Sequence, residues 1–492
     1  MSFNTLLLIV LVTYFSIVLL EGYISYRRSR GEADYLVAGR TMGAWVTGAS
    51  LSATQMSAGT FVGTIGLHYM TGASFIWAWT GIWVAYVVAA IWVAPKLRRY
   101  SAEHGGLTFP DYIGDRFNSH VARVVAAVVI LISYIVFMSA QFQAGGVILQ
   151  TLFGLPFVWG AVILLAITVL YTTVGGMVAV MRTDFLQQIV MALGAVIGLP
   201  LLFSYAGGAA NIAAVLADVG PNYLGWHFGF RDLLGFALAF GFVFVTAPYV
   251  ITRYYAVPDD RTARRAAAVA LFFNLVTAGS VAAIALTMKV LYPQLIVADA
   301  ASTVYAAQVL PPLMGTLVIA AILAAIMSTV DSVLLVTGPI VSHDIYYRLI
   351  NPRADERTRM RVNRWATAIT GALPLLLALQ QLGFVQFIVN AYASLLASGI
   401  AIPVIVGLYW KRANMAGAIA SMAIGFGVAL TLYLLGQPPL PWVGKLNPVI
   451  PGVIASTISM LVASVLTRPV PERNLRPFFP ELGTRAAAGG GR

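Results

Sequence analysis

Residues 321–336 read Ala-Ile-Leu-Ala-Ala-Ile-Met-Ser-Thr-Val-Asp-Ser-Val-Leu-Leu-Val, with Ser328, Thr329, Asp331 and Ser332 in the middle of an apolar run. A carboxylate at the centre of a membrane helix costs about 2.5–3.5 kcal/mol on insertion scales, so such groups face a cavity or a partner. Hydroxyls and carboxylates are hard oxygen ligands, the kind a small hard cation prefers. The cluster points to a cation site inside a helix bundle. A second polar run, Ala49-Ser-Leu-Ser-Ala-Thr-Gln-Met-Ser-Ala-Gly-Thr-Phe-Val-Gly63, is dense in small and hydroxylated residues. A membrane helix of this composition can unwind where a cavity or an ion takes up the freed backbone groups. A third, Gly241-Phe-Val-Phe-Val-Thr-Ala-Pro248, contains a proline that removes a backbone donor and breaks or kinks its helix. Small residues in one helix also serve close packing. Two interrupted segments beside a polar third favour a binding site over packing.

A bilayer must position these elements. The chain has 492 residues, 60% hydrophobic and only 10% charged, with a mean hydropathy of +0.85. That composition defines an all-α polytopic membrane protein of one integral domain. There is no cysteine, hence no disulfide framework, thiol nucleophile or cysteine-based metal site. Five histidines are scattered, with no pair at helical metal spacing. The net charge of +12 does not mark a nucleic-acid surface, because the cations fall in alternate loops.

About 20 apolar residues cross the hydrocarbon core. On that ruler there are thirteen spans: 5–25, 43–67, 73–95, 122–150, 155–173, 178–206, 232–256, 264–292, 311–340, 362–381, 384–410, 415–435 and 448–467. Arg27, Arg28, Arg30 and Arg40 follow the first span; Lys96, Arg98, Arg99 and Arg116 follow the third; Arg261 follows the seventh. Arg348, Arg353, Arg357, Arg359 and Arg361 follow the ninth, Lys411 and Arg412 the eleventh, and Arg468, Arg473 and Arg476 the last. The intervening loops are nearly free of cations, Lys445 being one exception. This alternation places the N-terminus outside and the C-terminus in the cytoplasm. The run Leu6–Leu20 lacks a preceding positive region, so it reads as a retained span and not as a cleavable signal. The tail 468–492 reads as disordered by composition.

The two interrupted spans lie five helices apart. That spacing fits the five-plus-five inverted repeat of secondary transporters, whose broken helices meet at the midplane and bind substrate and ion at their exposed ends. Between them, Tyr171-Thr-Thr-Val-Gly-Gly-Met-Val-Ala179 places Gly175-Gly176 in a tight turn between two spans. Asp184 follows near the start of the sixth span, where the helix macrodipole favours a carboxylate; a cation site or a coupling role is the alternative.

These stretches resemble the sodium/solute symporter family, which includes proline, pantothenate, sialic acid, monocarboxylate, iodide and sugar cotransporters. Tyr171–Ala179 fits its double-glycine signature, and Ala324–Ser332 looks like its sodium-site helix. Residues 52–59 look like its unwound helix, and His343-Asp-Ile-Tyr-Tyr-Arg348 like its exit from the ninth helix. The likeness covers about residues 5–467. It implies a LeuT-type transport core at 43–410, with repeats at about 43–206 and 232–410. The first span and its loop (1–42) and two later helices (411–467) would be peripheral. It implies a main sodium site from the carbonyls of Ala53, Met56 and Ala325 and the hydroxyls of Ser328 and Thr329. Five oxygens without a carboxylate suit a weak, releasable ion. A second sodium, present in some members, would use Asp184 and Ser332. Asp331, one helix step of about 100° from Ser332, would point elsewhere as a coupling or structural carboxylate.

By position, the solute would meet Gln55, Ser57, Thr60, Tyr134, Gln141, Phe242, Thr246 and Asn390, with Gln143 and Tyr392 beside them. The family's proline transporters carry an aspartate where Gln55 stands, which weighs against proline. No Lys or Arg is expected at mid-membrane to pair a carboxylate, so a carboxylated solute would use a half-helix N-terminus and backbone donors. The expected cargo is a monocarboxylate, a pantothenate-like compound or an amino acid, moved with Na+ and with no organic cofactor. Proton coupling through Asp184 and Asp331 is the alternative. A transport-like sensor fits less well, since only about 25 residues follow the last span, too few for a signalling domain. An intramembrane enzyme lacks a catalytic constellation, and a channel is disfavoured by the paired broken helices. The expected setting is a bacterial inner membrane, with the lipid bilayer, the solute and Na+ as partners and neither nucleic acid nor an obligate protein partner.

Overall fold

A computed structural model describes residues 2–28, 32–381, 383–437, 439 and 444–479, and no strand forms among them. The chain opens with α1 (Phe3–Ser25). A broken span follows: α2 (Ala44–Gln55), then a π-helical turn Gly59–Thr64, then α3 (Ile65–Thr71). Next come α4 (Ala73–His104), the short α5 (Phe109–Arg116) and the long α6 (His120–Phe153). α7 (Phe157–Leu170) and α8 (Gly175–Tyr205) meet at a kink, and α9 (Gly208–Val219) follows. The second broken span is α10 (Phe230–Thr246) and α11 (Pro248–Tyr255). α12 (Asp260–Leu291) leads to α13 (Pro312–Pro339), which continues as the π-helical stretch Ile340–Ile350. The rest is α14 (Glu356–Ala378), α15 (Val385–Tyr409), α16 (Met415–Leu434), α17 (Val449–Leu466) and the single turn α18 (Glu472–Leu475).

Among the described residues, ten segments are long and apolar enough to cross a membrane. The other three expected spans are helical but depart from that standard, each for a physical reason. The span expected at 43–67 is interrupted between Gln55 and Gly59. The one at 155–173 is apolar only over Phe157–Leu170. The one at 362–381 begins earlier, at Glu356, and carries Arg357, Arg359, Arg361 and Arg364 in its first half.

Helix starts follow local chemistry. The side chains of Ser119, Asp259, Asp355 and Asn414 accept amide hydrogens in the first turns of α6, α12, α14 and α16. Between α7 and α8, Gly176 takes φ +63°, and a Cβ there would stand 2.6 Å from the Tyr35 ring, so the turn needs glycine. The core centres on α13, whose most apolar window is 83% buried against 22% for α1. Small residues let its neighbours approach: a Cβ on Gly194 of α8 would lie 2.5 Å from that of Ala321.

The tail corrects one expectation. Part of it, up to Phe479, is folded against the bundle. Phe478 stacks on Tyr100 at 5.3 Å and stands edge-on to Tyr112 at 5.8 Å. The Arg116 guanidinium lies 5.3 Å from the Phe479 ring and donates to the carbonyls of Gly407, Trp410 and Ala413. Aromatic contacts offset the ordering entropy that polar composition suggested would win. Residues 480–492 and Arg30 lie outside the described residues. Phe478→Ala should cost about 1–2 kcal/mol for a half-buried ring. It should lower the unfolding midpoint in detergent; an unchanged midpoint would show that the segment is not docked.

Candidate functional site

Both broken spans open where the sequence is weakest, and side chains catch the freed amides. At the first break Met56 is extended (φ −74°, ψ 118°). The Ala58 N–H donates to Gln141 Oε1 at 2.8 Å, Gly59 N–H to Ser57 Oγ at 3.0 Å, and Ser57 N–H to Thr60 Oγ1 at 3.3 Å. At the second, Ala247 (φ −61°, ψ 129°) precedes Pro248, as the proline ring requires. The Tyr249 N–H reaches the Tyr134 hydroxyl at 3.4 Å. Gln141 and Tyr134 both come from α6, so one helix caps both breaks.

Five oxygens converge at the first break. Ser328 Oγ donates to the Ala53 carbonyl at 2.9 Å and to Ala325 at 3.1 Å. Thr329 Oγ1 lies 3.2 Å from the Met56 carbonyl and 3.0 Å from Ala325. All five belong to buried residues. These are the oxygens expected of the main cation site, and no carboxylate is among them.

Beside this cluster lies a buried ion pair that the sequence reading missed. Arg253 on α11 donates to Asp184 Oδ2 at 2.8 Å, and both side chains are fully buried. The guanidinium also donates to Ser50, Ser332 and the Tyr249 carbonyl. Asp184 accepts from Ser50 Oγ at 2.5 Å, and Thr54 shares a hydrogen bond with Ser332 at 2.9 Å. The expectation of no mid-membrane Arg or Lys is therefore wrong. Arg253 lies within the expected seventh span, and the break at Ala247 leaves it on a separate half-helix whose residues are all buried. An arginine five residues after a helix-breaking proline was the available signal. Asp331 also differs from expectation: the Ser332 hydroxyl reaches its Oδ1 at 3.1 Å despite the helix step between them.

A narrow cavity of ≈ 30 Å³ adjoins the five-oxygen cluster, lined by Gln55, Ser57, Thr60, Thr64, Gln386 and Tyr392 with Phe75, Trp79, Phe240 and Phe244 among its aromatic walls. That is room for about two waters. Gln55 is held by Asn274, whose amide oxygen takes the Trp83 indole N–H at 3.0 Å. Tyr392 lies under Phe137 at 4.0 Å and bonds the Tyr249 hydroxyl at 3.0 Å. The remaining solute candidates sit elsewhere. Tyr134 and Gln141 serve as caps, and Gln143 holds the Gly383 carbonyl at 2.6 Å. Phe242 faces an apolar groove with Val84 and Ile405, and Thr246 bonds the Phe242 carbonyl. Asn390 faces Tyr433 and Asn447.

Charged networks flank the site at both ends. At the cation-rich end, burial of Asp111 is outweighed by its hydrogen bond to His343 and by the charges of His343, Arg123 and Arg348, which hold its carboxyl down at about 2. Thr108 bonds Asp344 at 2.9 Å, tying α5 to the π-helical exit of α13. At the other end, Asp299 accepts the first-turn N–H of Val385 at 3.3 Å, and burial pushes its carboxyl up to about 6.

The fold has close counterparts. A Na+-coupled sialic acid symporter, in a substrate-bound outward-open state, superposes with a TM-score of 0.83 at 20% identity, covering 96% of this chain and 100% of that one. Mhp1, a nucleobase-cation-symport-1 family transporter, superposes with a TM-score of 0.60 at 15% identity, covering 92% and 98%. The helical fold is thus shared with these two structures. The chain belongs to the Sodium:solute symporter family, whose model matches residues 35–425. Among its relatives is the high-affinity proline transporter PutP of Bacillus subtilis (strain 168), 30% identical over 470 residues, covering 92% of this chain and 96% of the relative. Another is the osmoregulated proline transporter OpuE of the same organism, 28% identical over 486 residues, covering 96% and 97%.

Arg253→Met strands a buried carboxylate and should cost about 3–5 kcal/mol. Pairing Arg253→Gln with Asp184→Asn should recover much of that loss in a denaturation series; equal loss in both would show that the two charges do not depend on each other. For Asp299 the folded pKa lies above the ordinary 3.8, so folding takes up a proton between those values. Stability should rise as pH falls through about 6 and level off below 3.8. Asp299→Asn should remove that part of the slope of unfolding midpoint against pH.

Proposed function

We propose that this chain is a sodium-coupled importer of a small carboxylated solute, working by alternating access, with proline the first candidate. The supporting observation is the convergence of five neutral oxygens on the same unwound stretch whose Gln55 and Ser57 line the cavity. In this reading Na+ binds Ala53, Met56, Ala325, Ser328 and Thr329, and the hydroxyls turn their lone pairs to the ion. Binding orders the break and completes the solute pocket formed by Gln55, Ser57, Thr60 and Tyr392. A carboxylate arriving there competes with Gln141 and Ser57 for the amide hydrogens of Ala58 and Gly59. The coupling is a free energy shared by the two sites, so it is reciprocal. Neutral ligands keep the ion loose enough to unload into a low-sodium cytoplasm.

Arg253 supports sodium over protons as the driving ion, because a carboxylate held by a permanent cation is a poor relay. The same pairing argues that Asp184 and Ser332 are structural here, with a built-in positive charge beside them. Thirteen spans complete the proposed topology, with the N-terminus outside, the C-terminus in the cytoplasm, and repeats at 43–206 and 232–410. Proline is favoured by the relatives named above. A neutral Gln55 leaves recognition to amide and hydroxyl contacts.

Uptake of proline by proteoliposomes under a sodium gradient should fall at least about tenfold in Ser328→Ala with Thr329→Ala, since two of five ligands are lost. Proline at 100 times its Kd should stabilise the purified chain by about 2.7 kcal/mol in NaCl, and far less in KCl. Sodium-dependent uptake that survives the double substitution would refute the ion assignment. Stabilisation by another carboxylated solute alone would replace proline.

A further inference from the structure

The Gln55 amide on the wall of the central cavity is set from outside that cavity. Gly48 lets α12 lie close along α2: a Cβ there would stand 2.5 Å from the Ala266 carbonyl oxygen. About two turns further along both helices, Asn274 of α12 meets Gln55 at the end of α2. Asn274 is fully buried, and the half-buried Trp83 of α4 reaches it from the other side. A side-chain amide has a donor end and an acceptor end of nearly the same shape, so its partners decide which end faces where. An indole N–H can only donate. Trp83 Nε1 donates to Asn274 Oδ1 at 3.0 Å, which turns Asn274 Nδ2 towards Gln55. That Nδ2 donates to Gln55 Oε1. Gln55 therefore keeps its Nε2 for the cavity it lines, and among the described residues this nitrogen donates to no group.

Neither amide can turn back freely. Reversing Gln55 alone sets two NH2 groups against each other, and reversing both sets the Asn274 NH2 against the indole N–H; each leaves buried donors unpaired. The neighbouring hydroxyls lean the same way. Ser57 and Thr60 accept from the Gly59 and Ser57 amides, which leaves each hydroxyl hydrogen free for the cavity. Among the described residues no carboxylate side chain lines this cavity. Gln386, by contrast, meets the rotatable hydroxyl of Thr64 at 3.3 Å, which fixes neither end of its amide.

We infer that Trp83 and Asn274 are positioning residues that set solute selection. They hold Gln55 as a donor, so the cavity reads a carboxylate oxygen and offers no charged acceptor to an ammonium. The chemical class selected is a small carboxylate whose amino group is dispensable. The inference rests on the central cavity being the solute site of the function proposed above.

Saturation-transfer NMR titrations of the full chain with cyclopentanecarboxylate and cyclopentylammonium, alike in ring and opposite in charge, test this. In NaCl the carboxylate should bind at least about tenfold tighter than the ammonium. Trp83 does not line the cavity, yet Trp83→Phe releases both amides to turn and should shrink that ratio about fivefold. Asn274→Leu, similar in volume, frees Gln55 directly and should shrink it likewise. Residues that served packing alone would weaken both probes together and leave the ratio where it was. A ratio of one or less in the unaltered chain, an unchanged ratio in both variants, or no measurable binding of either probe would overturn the inference. Sodium reports on the proposed function separately. The expected ratios, with the same carboxylate affinity in KCl as in NaCl, would count against sodium coupling and leave the amide assignment standing.

Discussion

A bilayer offers no water to a broken helix, and this constraint organises the molecule. Opening a span at Met56 and again at Ala247 frees backbone donors and acceptors that would each cost several kcal/mol in hydrocarbon. The structure resolves the two cases differently. At the second break Pro248 has no amide hydrogen to satisfy, and the Tyr134 hydroxyl accepts the next one, from Tyr249. At the first break Ser57, Thr60 and Gln141 take the amides, while the Ala53 and Met56 carbonyls turn to Ser328 and Thr329. The carbonyls that a continuous helix would have consumed are thus held where a cation can use them. Function follows from the way an unwound backbone is satisfied.

The same economy governs charge. The molecule buries a full ion pair, Asp184–Arg253, at its centre, yet builds the neighbouring oxygen cluster from neutral groups. A carboxylate in that cluster would hold a cation tightly and would itself need compensation when the ion left. Carbonyls and hydroxyls need none, because they hydrogen-bond to one another in its place, at 2.9–3.2 Å between the broken span and α13. The ion pair has the opposite task. With Ser50, Thr54 and Ser332 it ties together α2, α8, α11 and α13, both broken spans included.

Local signals carried the elements into view, and long-range packing set the contacts. Thr54-Gln55-Met56-Ser57 and Pro248 announced the breaks because composition and a missing donor act on the chain where they stand. That the five oxygens proposed for the cation site would meet was in reach of the sequence, because they come from two short segments whose family resemblance is specific. Side-chain direction was not legible. Gln141 and Tyr134 are polar groups in mid-span and looked like solute contacts, but the breaks needed caps first. Arg253 was overlooked because it lies near the end of an apolar stretch, where an arginine ordinarily reaches for the interface. Only the break two residues after Val245 turns it inward. The docking of Phe478 on Tyr100 depends on residues more than three hundred and fifty positions apart, and no periodicity reports that.

In the proposed function one stretch of chain serves two ligands. Ala53 and Gln55 end the helix α2, and the chain leaves it through Met56, which is extended, into Ser57. Carbonyls can face α13 while neighbouring side chains face the cavity. In a continuous helix the backbone oxygens would be spent along the axis, and the two functions could not share so few residues. Ordering this one segment from either side lowers the cost of ordering it from the other, which is the physical content of coupling. A cavity with room for about two waters and aromatic walls at Phe75 and Phe240 then has a clear place in such a cycle. Under the proposed function it is the contracted form of a pocket that enlarges to admit the solute, and the enlargement moves the segment that carries the Ala53 and Met56 carbonyls.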